Sequence, residues 1–105
     1  MAQVLLRGNP VQTSGELPAV GSVAPAFNLL NSSLGKVSLD SLKGKKVVVS
    51  IFPSIDTPTC ATSTRTFNKE AAAIDGVTVV TVSEDLPFAL GRFCAAEGIE
   101  NVHTL

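Results

Sequence analysis

The sequence predicts a layered α/β domain. Two runs rich in β-branched residues, KKVVVSIF at 45–52 and VTVVTVS at 77–83, are each followed by a stretch of helical character, and proline and glycine stand where those helices would begin and end. Before them, residues 1–44 are rich in Gly, Pro, Ser and Asn and hold only short strand-like pieces. VLL and VQT flank RGNP and read as a hairpin, and FNLL and KVSL read as edge elements. Asp40 is expected to cap a single helical turn, SLK, that Gly44 ends. KKVVVSIF is a continuous apolar run of the kind covered on both faces, so it is expected to be a central strand. From Pro58 to Ile74, Phe67, Ala71 and Ile74 recur at helical spacing while Arg65, Lys69 and Glu70 can face water, which predicts an amphipathic helix stopped at Asp75-Gly76. VTVVTVS is then a second strand. A second helix runs from Pro87 to Glu97, with Glu84 and Asp85 as its cap and Gly98 as a left-handed exit. This β-α-β-α order implies parallel strands joined by right-handed crossovers. The tail from Ile99 to Leu105 starts what reads as another strand just as the chain stops, the pattern expected of a fragment.

Composition narrows the function classes. Of 105 residues, 45% are hydrophobic and 16% charged, proportions of one globular domain rather than a disordered chain. A net charge of -1, with no basic block longer than KGKK at 43–46, gives no electrostatic reason to expect nucleic acid or an anionic membrane. No long apolar stretch and no signal-peptide core is present, so the expected compartment is the cytoplasm. Phosphate-loop, dinucleotide and nucleophile-elbow motifs are absent.

The chemistry therefore rests on two cysteines, Cys60 and Cys94. In a reducing compartment a redox pair, a metal site and plain core packing all remain open. If Pro58 is the first helical residue, Thr57 is the N-cap and Cys60 lies in the first turn, where unpaired backbone N–H groups and the helix dipole favour a thiolate. The Thr57 hydroxyl is expected to reach the amide or the sulfur of Cys60, and Pro53 removes a donor and stiffens the exit from the strand. Cys94, near Leu90 and Phe93, can simply pack; only a pairing with Cys60 would give it chemistry. A separation of 34 residues (94 - 60) excludes a C-x-x-C dithiol and puts the sulfurs on different helices.

PSIDTPTC, from Pro53 to Cys60, matches the P-x-x-x-T-x-x-C signature of the peroxiredoxins. More closely, FPSIDT-x-x-CA followed by a VTVS-like strand and DLPFA-x-x-RFC-x-AEG resembles the bacterial thiol peroxidase subfamily of atypical two-cysteine peroxiredoxins. GNP-V and ELPAVGS-x-AP-F-L extend the likeness over essentially the whole chain. The resemblance implies a thioredoxin-like fold with an N-terminal hairpin extension, one domain over residues 1–105. It implies Cys60 as the peroxidatic cysteine, Cys94 as the resolving one in a Cys60–Cys94 disulfide, and Pro53 and Thr57 as residues that shield and polarise the reacting sulfur. It also implies reduction of hydrogen peroxide and organic hydroperoxides with no metal, flavin or haem cofactor, recharging by thioredoxin, and a homodimer. Family members are longer, so the C-terminal strands, a last helix and a further arginine are expected to be missing here. Arg65, five residues beyond Cys60, and Arg92 are candidates to lend some positive potential, though each reads first as a solvated helix charge.

Two rivals stand beside this. A metal site from Cys60, Cys94 and His103 lacks the tight ligand pairs of zinc modules. A thioredoxin-type carrier calls for C-x-x-C where this chain has T-P-T-C, which leaves a non-catalytic or inactive thioredoxin-like interaction domain as the alternative.

Overall fold

The computed structural model describes residues 2–71 and 73–105. Among the described residues seven strands form three sheets: β1 (Gln3–Leu6) with β2 (Asn9–Gln12), β3 (Asn28–Leu30) with β4 (Lys36–Ser38), and β5 (Lys46–Ile51), β6 (Val77–Val82) and β7 (Val102–Thr104) together. Helix α1 (Pro58–Ala71) connects β5 to β6 and α2 (Pro87–Glu97) connects β6 to β7.

The first hairpin turns through Arg7 and Gly8 alone, both at positive φ (52° and 82°), while Asn9 and Pro10 already belong to β2. Positive φ at both turn residues matches the twist of the flanking strands, which is why the turn is two residues long and not the four of RGNP. The short helical turn Leu39–Leu42 also differs from expectation: Ser38 is its cap, with Ser41 N–H donating to Ser38 Oγ (3.4 Å). Asp40 sits inside the turn and pairs with Lys43 (3.2 Å), both in solvent.

Both helices connect parallel strands, as the alternation of strand and helix implies. β5 and β6 run parallel with Val47 against Thr78 and Ile51 against Val82, and β7 runs parallel to β6 with Val79 against Val102. The tail after Gly98 thus provides the return strand for α2. The central strand, however, is β6 and not β5. β5 has one strand neighbour among the described residues, and Val48 and Val49 are exposed with Ile51 76% exposed. A long β-branched run records how much apolar surface a strand carries, but the number of its neighbours is a tertiary outcome.

Alternation along β6 separates two cores. Val79 faces the helices, where Phe67 and Ala71 of α1 and Phe93 and Cys94 of α2 pack around Val79, Ile99 and Val102. Val80 faces the other way, joining Leu42 and Leu105 beneath Phe27, Leu29 and Val37 of the β3–β4 hairpin and its surroundings. The molecule is layered as helices, sheet and hairpin. Helix α1 is described to Ala71; Ala72 lies outside the described residues, and Ile74, expected on the apolar face, is exposed. Asn68 of α1 accepts from the backbone N–H groups of Glu100 (3.2 Å) and Asn101 (2.8 Å), tying the entry of β7 to α1.

Candidate active site

The site is built where β5 ends and α1 begins. Phe52 N–H still donates to Val82 O (3.0 Å), so the sheet carries the chain one residue past β5 before Pro53, exposed and without an N–H, ends the ladder. A tight turn follows, closed by Thr57 N–H donating to Ser54 O (3.2 Å), with Asp56 N–H donating to Ser54 Oγ (3.1 Å). Helix α1 then opens at Pro58, its first bond running from Ala61 N–H to Thr57 O (3.0 Å). Cys60 is in the first turn, as the position of Pro58 implies.

Thr57 behaves differently from expectation. Its hydroxyl donates back to Ser54 O (2.8 Å), and no hydrogen bond joins Thr57 to the Cys60 amide or sulfur among the described residues. The reason is local: the turn Ser54–Thr57 needs a second donor at its carbonyl, and the Thr57 side chain is the nearest group that can supply it. The consequence is that the N–H groups of Thr59 and Cys60 have no partner among the described residues, leaving two donors at the positive end of α1 beside the thiol.

Cys60 is half-buried against Phe52, Ile55 and Leu90, with Phe93 on the same cluster. Ile55 is 1% exposed, so the loop is anchored by a core side chain as well as by its backbone. Cys94 is also half-buried, but in the neighbouring cluster around Val79, Ile99 and Val102, with Phe93 packing against both clusters. Burial pushes the Cys94 thiol up, against a smaller opposite pull from Thr104, whose Oγ1 lies 3.9 Å from the sulfur. Both cysteines are free thiols. The fold therefore brings Pro53, Thr57 and Cys60 onto one loop and helix start, and sets Cys94 across Phe93 in the adjoining core.

Arg65 and Arg92 each have an acidic partner, that of Arg92 lying in the cysteine loop. Arg65 forms a two-pronged pair with Glu97 (Nε–Oε2 3.1 Å, Nη2–Oε1 2.9 Å) and lies over the Phe93 ring, 5.4 Å from its centroid. The hydrogen bond to Glu97 raises the guanidinium still further above its ordinary value. Arg92 Nη2 stands 3.5 Å from Asp56 Oδ1, both side chains largely in solvent. No cluster that could hold a metal ion is formed among the described residues.

Asp85 is the residue that sequence reasoning placed wrongly. It does not cap α2, whose N-cap is Leu86 with no side-chain bond. Its carboxylate turns instead to the cysteine loop, accepting from Ile55 N–H (Oδ2, 2.7 Å), Ser54 Oγ (Oδ1, 2.9 Å) and Ser83 Oγ (Oδ2, 2.7 Å). Partial burial works against its charge, but those three bonds, led by that from Ile55, outweigh it and hold the carboxyl below the usual aspartate range. Acids just before a proline-started helix look like caps in a sequence; a partner 30 residues away in the chain leaves no local signal.

A family model described as Redoxin matches residues 19–105. The chain is 63% identical over 102 residues to a thiol peroxidase of Mycobacterium tuberculosis, covering 97% of this chain and 61% of that protein. It thus spans about 61% of the length of the curated relatives it matches first. Among solved structures, a peroxiredoxin-like protein from Aquifex aeolicus superposes with a TM-score of 0.85 at 40% identity, over 97% of this chain and 60% of that one. A thiol peroxidase from Chromobacterium violaceum has the same fold, with a TM-score of 0.84 at 18% identity over 98% of this chain and 61% of that one.

Proposed function

The chain belongs to the Redoxin family and has its thioredoxin-like α/β fold, and from that premise we propose that it is a thiol-dependent peroxidase acting on hydrogen peroxide and organic hydroperoxides. The observation that carries the reading is the placement of Cys60 in the first turn of α1, beside two unpartnered amides, at the end of the loop Pro53–Thr57.

The Cys60 thiolate attacks the terminal oxygen of the hydroperoxide. An S–O bond forms, the O–O bond breaks, and the departing alkoxide or hydroxide takes up a proton to leave as alcohol or water. Sulfur is oxidised by two electrons to a sulfenic acid as the peroxide is reduced by two. The amides of Thr59 and Cys60 stabilise the charge that builds on the breaking O–O bond. Pro53, at the lip of the loop, and Thr57, which closes the turn, hold the approach to the sulfur in shape.

Cys94 is the resolving thiol. Its sulfur displaces water from the sulfenic acid to form a Cys60–Cys94 disulfide, and a dithiol reductant of the thioredoxin type restores both cysteines by exchange. Because the two sulfurs occupy different clusters, bridging them requires local movement, and a disulfide demands Cα atoms about 4.4–6.8 Å apart. The last turn of α2 is the part suited to move: the N–H groups of Gly98 and Ile99 both close on Cys94 O, so releasing that one carbonyl frees the cysteine. A cytoplasmic location and a homodimer complete the proposal. No helix among the described residues is long and apolar enough to cross a membrane.

Cys60→Ser is expected to abolish peroxide reduction. Cys94→Ser should retain one turnover and accumulate a sulfenic acid that a dimedone-type probe traps. Equal loss of the first turnover in both variants would overturn the division of labour.

A second reading, a non-catalytic interaction domain, draws on one observation: Val49 and Ile51 of β5 line an apolar groove of about 400 Å³ with Pro18, Phe27, Leu29 and Leu39. Single-turnover peroxide consumption separates the two, since an interaction domain would consume none above the rate of a free thiol.

A further inference from the structure

The loop that delivers the chain to Cys60 is held from outside itself. Within residues 53–57 the bonds are those of one tight turn, and such a turn fixes its own shape but not its placement on the sheet. Placement comes from the segment between β6 and α2, where Asp85 meets two consecutive residues of the loop: Ser54 through its hydroxyl and Ile55 through its backbone N–H. The second carboxylate oxygen also receives Ser83 Oγ (2.7 Å), and Ser83 Oγ is in turn approached by Asp85 N–H (3.4 Å), so the aspartate's own rotamer is locked. The carboxylate is thus a clamp with both jaws occupied. One end of the clamped segment is five residues from Cys60, and Ile55 itself packs in the cluster that holds the sulfur.

We propose that Asp85 is a positioning residue for the peroxide reaction at Cys60, fixing the Pro53–Thr57 loop against the β6–α2 segment so that the hydroperoxide meets the sulfur and the amides of Thr59 and Cys60 in line. The inference rests on the peroxidase reading of Cys60. Its chemistry is that of a polar head bridging three groups. Every group that meets Asp85 is a donor; two are hydroxyls that can rotate, but the Ile55 N–H cannot turn into an acceptor. An amide can keep Ile55 N–H and Ser83 Oγ as donors to its oxygen and point its NH₂ at Ser54 Oγ, which can rotate to accept, so the clamp is undone only when the polar head is removed. Displacement of a reacting group by about 1 Å can cost about 100-fold in rate.

The test uses the 105-residue chain in the Cys94→Ser background, which leaves Cys60 as the sole thiol. Two rates are measured on the reduced protein: single-turnover oxidation of Cys60 by hydrogen peroxide, and alkylation of Cys60 by iodoacetamide. Alkylation reads the exposure and nucleophilicity of the thiol without needing the aligned donors. Asp85→Ala, which removes all three bonds, is expected to slow peroxide oxidation by at least about tenfold, well inside the penalty for a misplaced group, with alkylation changed far less and with Asp85→Asn, which can keep the bonds, closer to the parent. Asp85→Glu should recover part of the loss, and Ser54→Ala, which removes one jaw while leaving Ile55 N–H in place, should give a smaller drop of the same kind. If Asp85→Ala does not fold, the ratio of the two rates in Ser54→Ala decides. Equal slowing of both reactions, or no slowing, overturns the role given to Asp85. A parent protein that alkylates normally yet reacts with peroxide no faster than a free thiol would instead remove the peroxidase reading, and the inference with it.

Discussion

Cys94 shows how one residue's surroundings set its part in a reaction. Its sulfur is packed among Val79, Ile99, Val102 and Phe93, and desolvation there penalises the thiolate more than Thr104 Oγ1 at 3.9 Å relieves it. A raised value keeps the group protonated as pH rises through the range where an ordinary cysteine, near about 8.5, ionises. In Cys60→Ser, alkylation of Cys94 should therefore climb with pH along a curve displaced to higher pH than that of a cysteine in an unstructured peptide. A midpoint at or below the peptide's would show that the sulfur is not desolvated in solution.

At the scale of elements, β6 carries the strain of its central place. Ser50, Thr81 and Thr104 align across the three strands in one register and so share the face that the helices cover. Thr104 reaches Cys94, but the Thr81 hydroxyl, on a residue 1% exposed, has no partner among the described residues. A buried hydroxyl left unpaired costs about 1–3 kcal/mol, and valine has nearly the same shape with higher strand preference. Thr81→Val is expected to stabilise the protein by about 1 kcal/mol, read as a higher midpoint in urea with an unchanged slope. A loss of stability would mean that the hydroxyl is satisfied by water in the sheet–helix interface. The helices, by comparison, follow local rules: α2 starts on Pro87 and ends on Gly98 at φ 65°, a backbone conformation that glycine adopts without strain.

The whole molecule exposes more than its size calls for. Its accessible surface is 7436 Å², against about 5,600 Å² for a folded monomer of this mass. Its radius of gyration is 14.6 Å, where about 13 Å is usual. Apolar side chains contribute to it: Leu5 and Leu6 on the first hairpin, Leu17, Val20 and Val23 on the following segment, and Val48, Val49 and Ile51 on β5 are all exposed. An unpaired strand edge flanked by such surface favours association and weakens cooperativity. The 105-residue chain alone is expected to unfold over a broad urea range with a low slope, and to react with peroxide more slowly than a chimera supplying the remaining length of a thiol peroxidase relative. Identical transitions and identical rates in the two proteins would show that the open face is neither a thermodynamic nor a catalytic deficit.

What the sequence by itself determined is what depends on neighbours along the chain. The parallel α/β order, the span of α2, the start of α1 at Pro58 and with it the first-turn place of Cys60 all follow from periodicity and from prolines and glycines acting over a few residues. The P-x-x-x-T-x-x-C pattern pointed to the same family that the Redoxin match establishes. Tertiary structure decided what depends on partners far apart in sequence. It made β6 rather than β5 central, turned the Thr57 hydroxyl to Ser54, separated Cys94 from Cys60 across Phe93, and drew Asp85 away from α2 to the loop before Cys60. The physical reason is common to all four. A run of residues states how much surface an element must bury and which hydrogen bonds it can make, but which group arrives to do so is settled only when the chain packs.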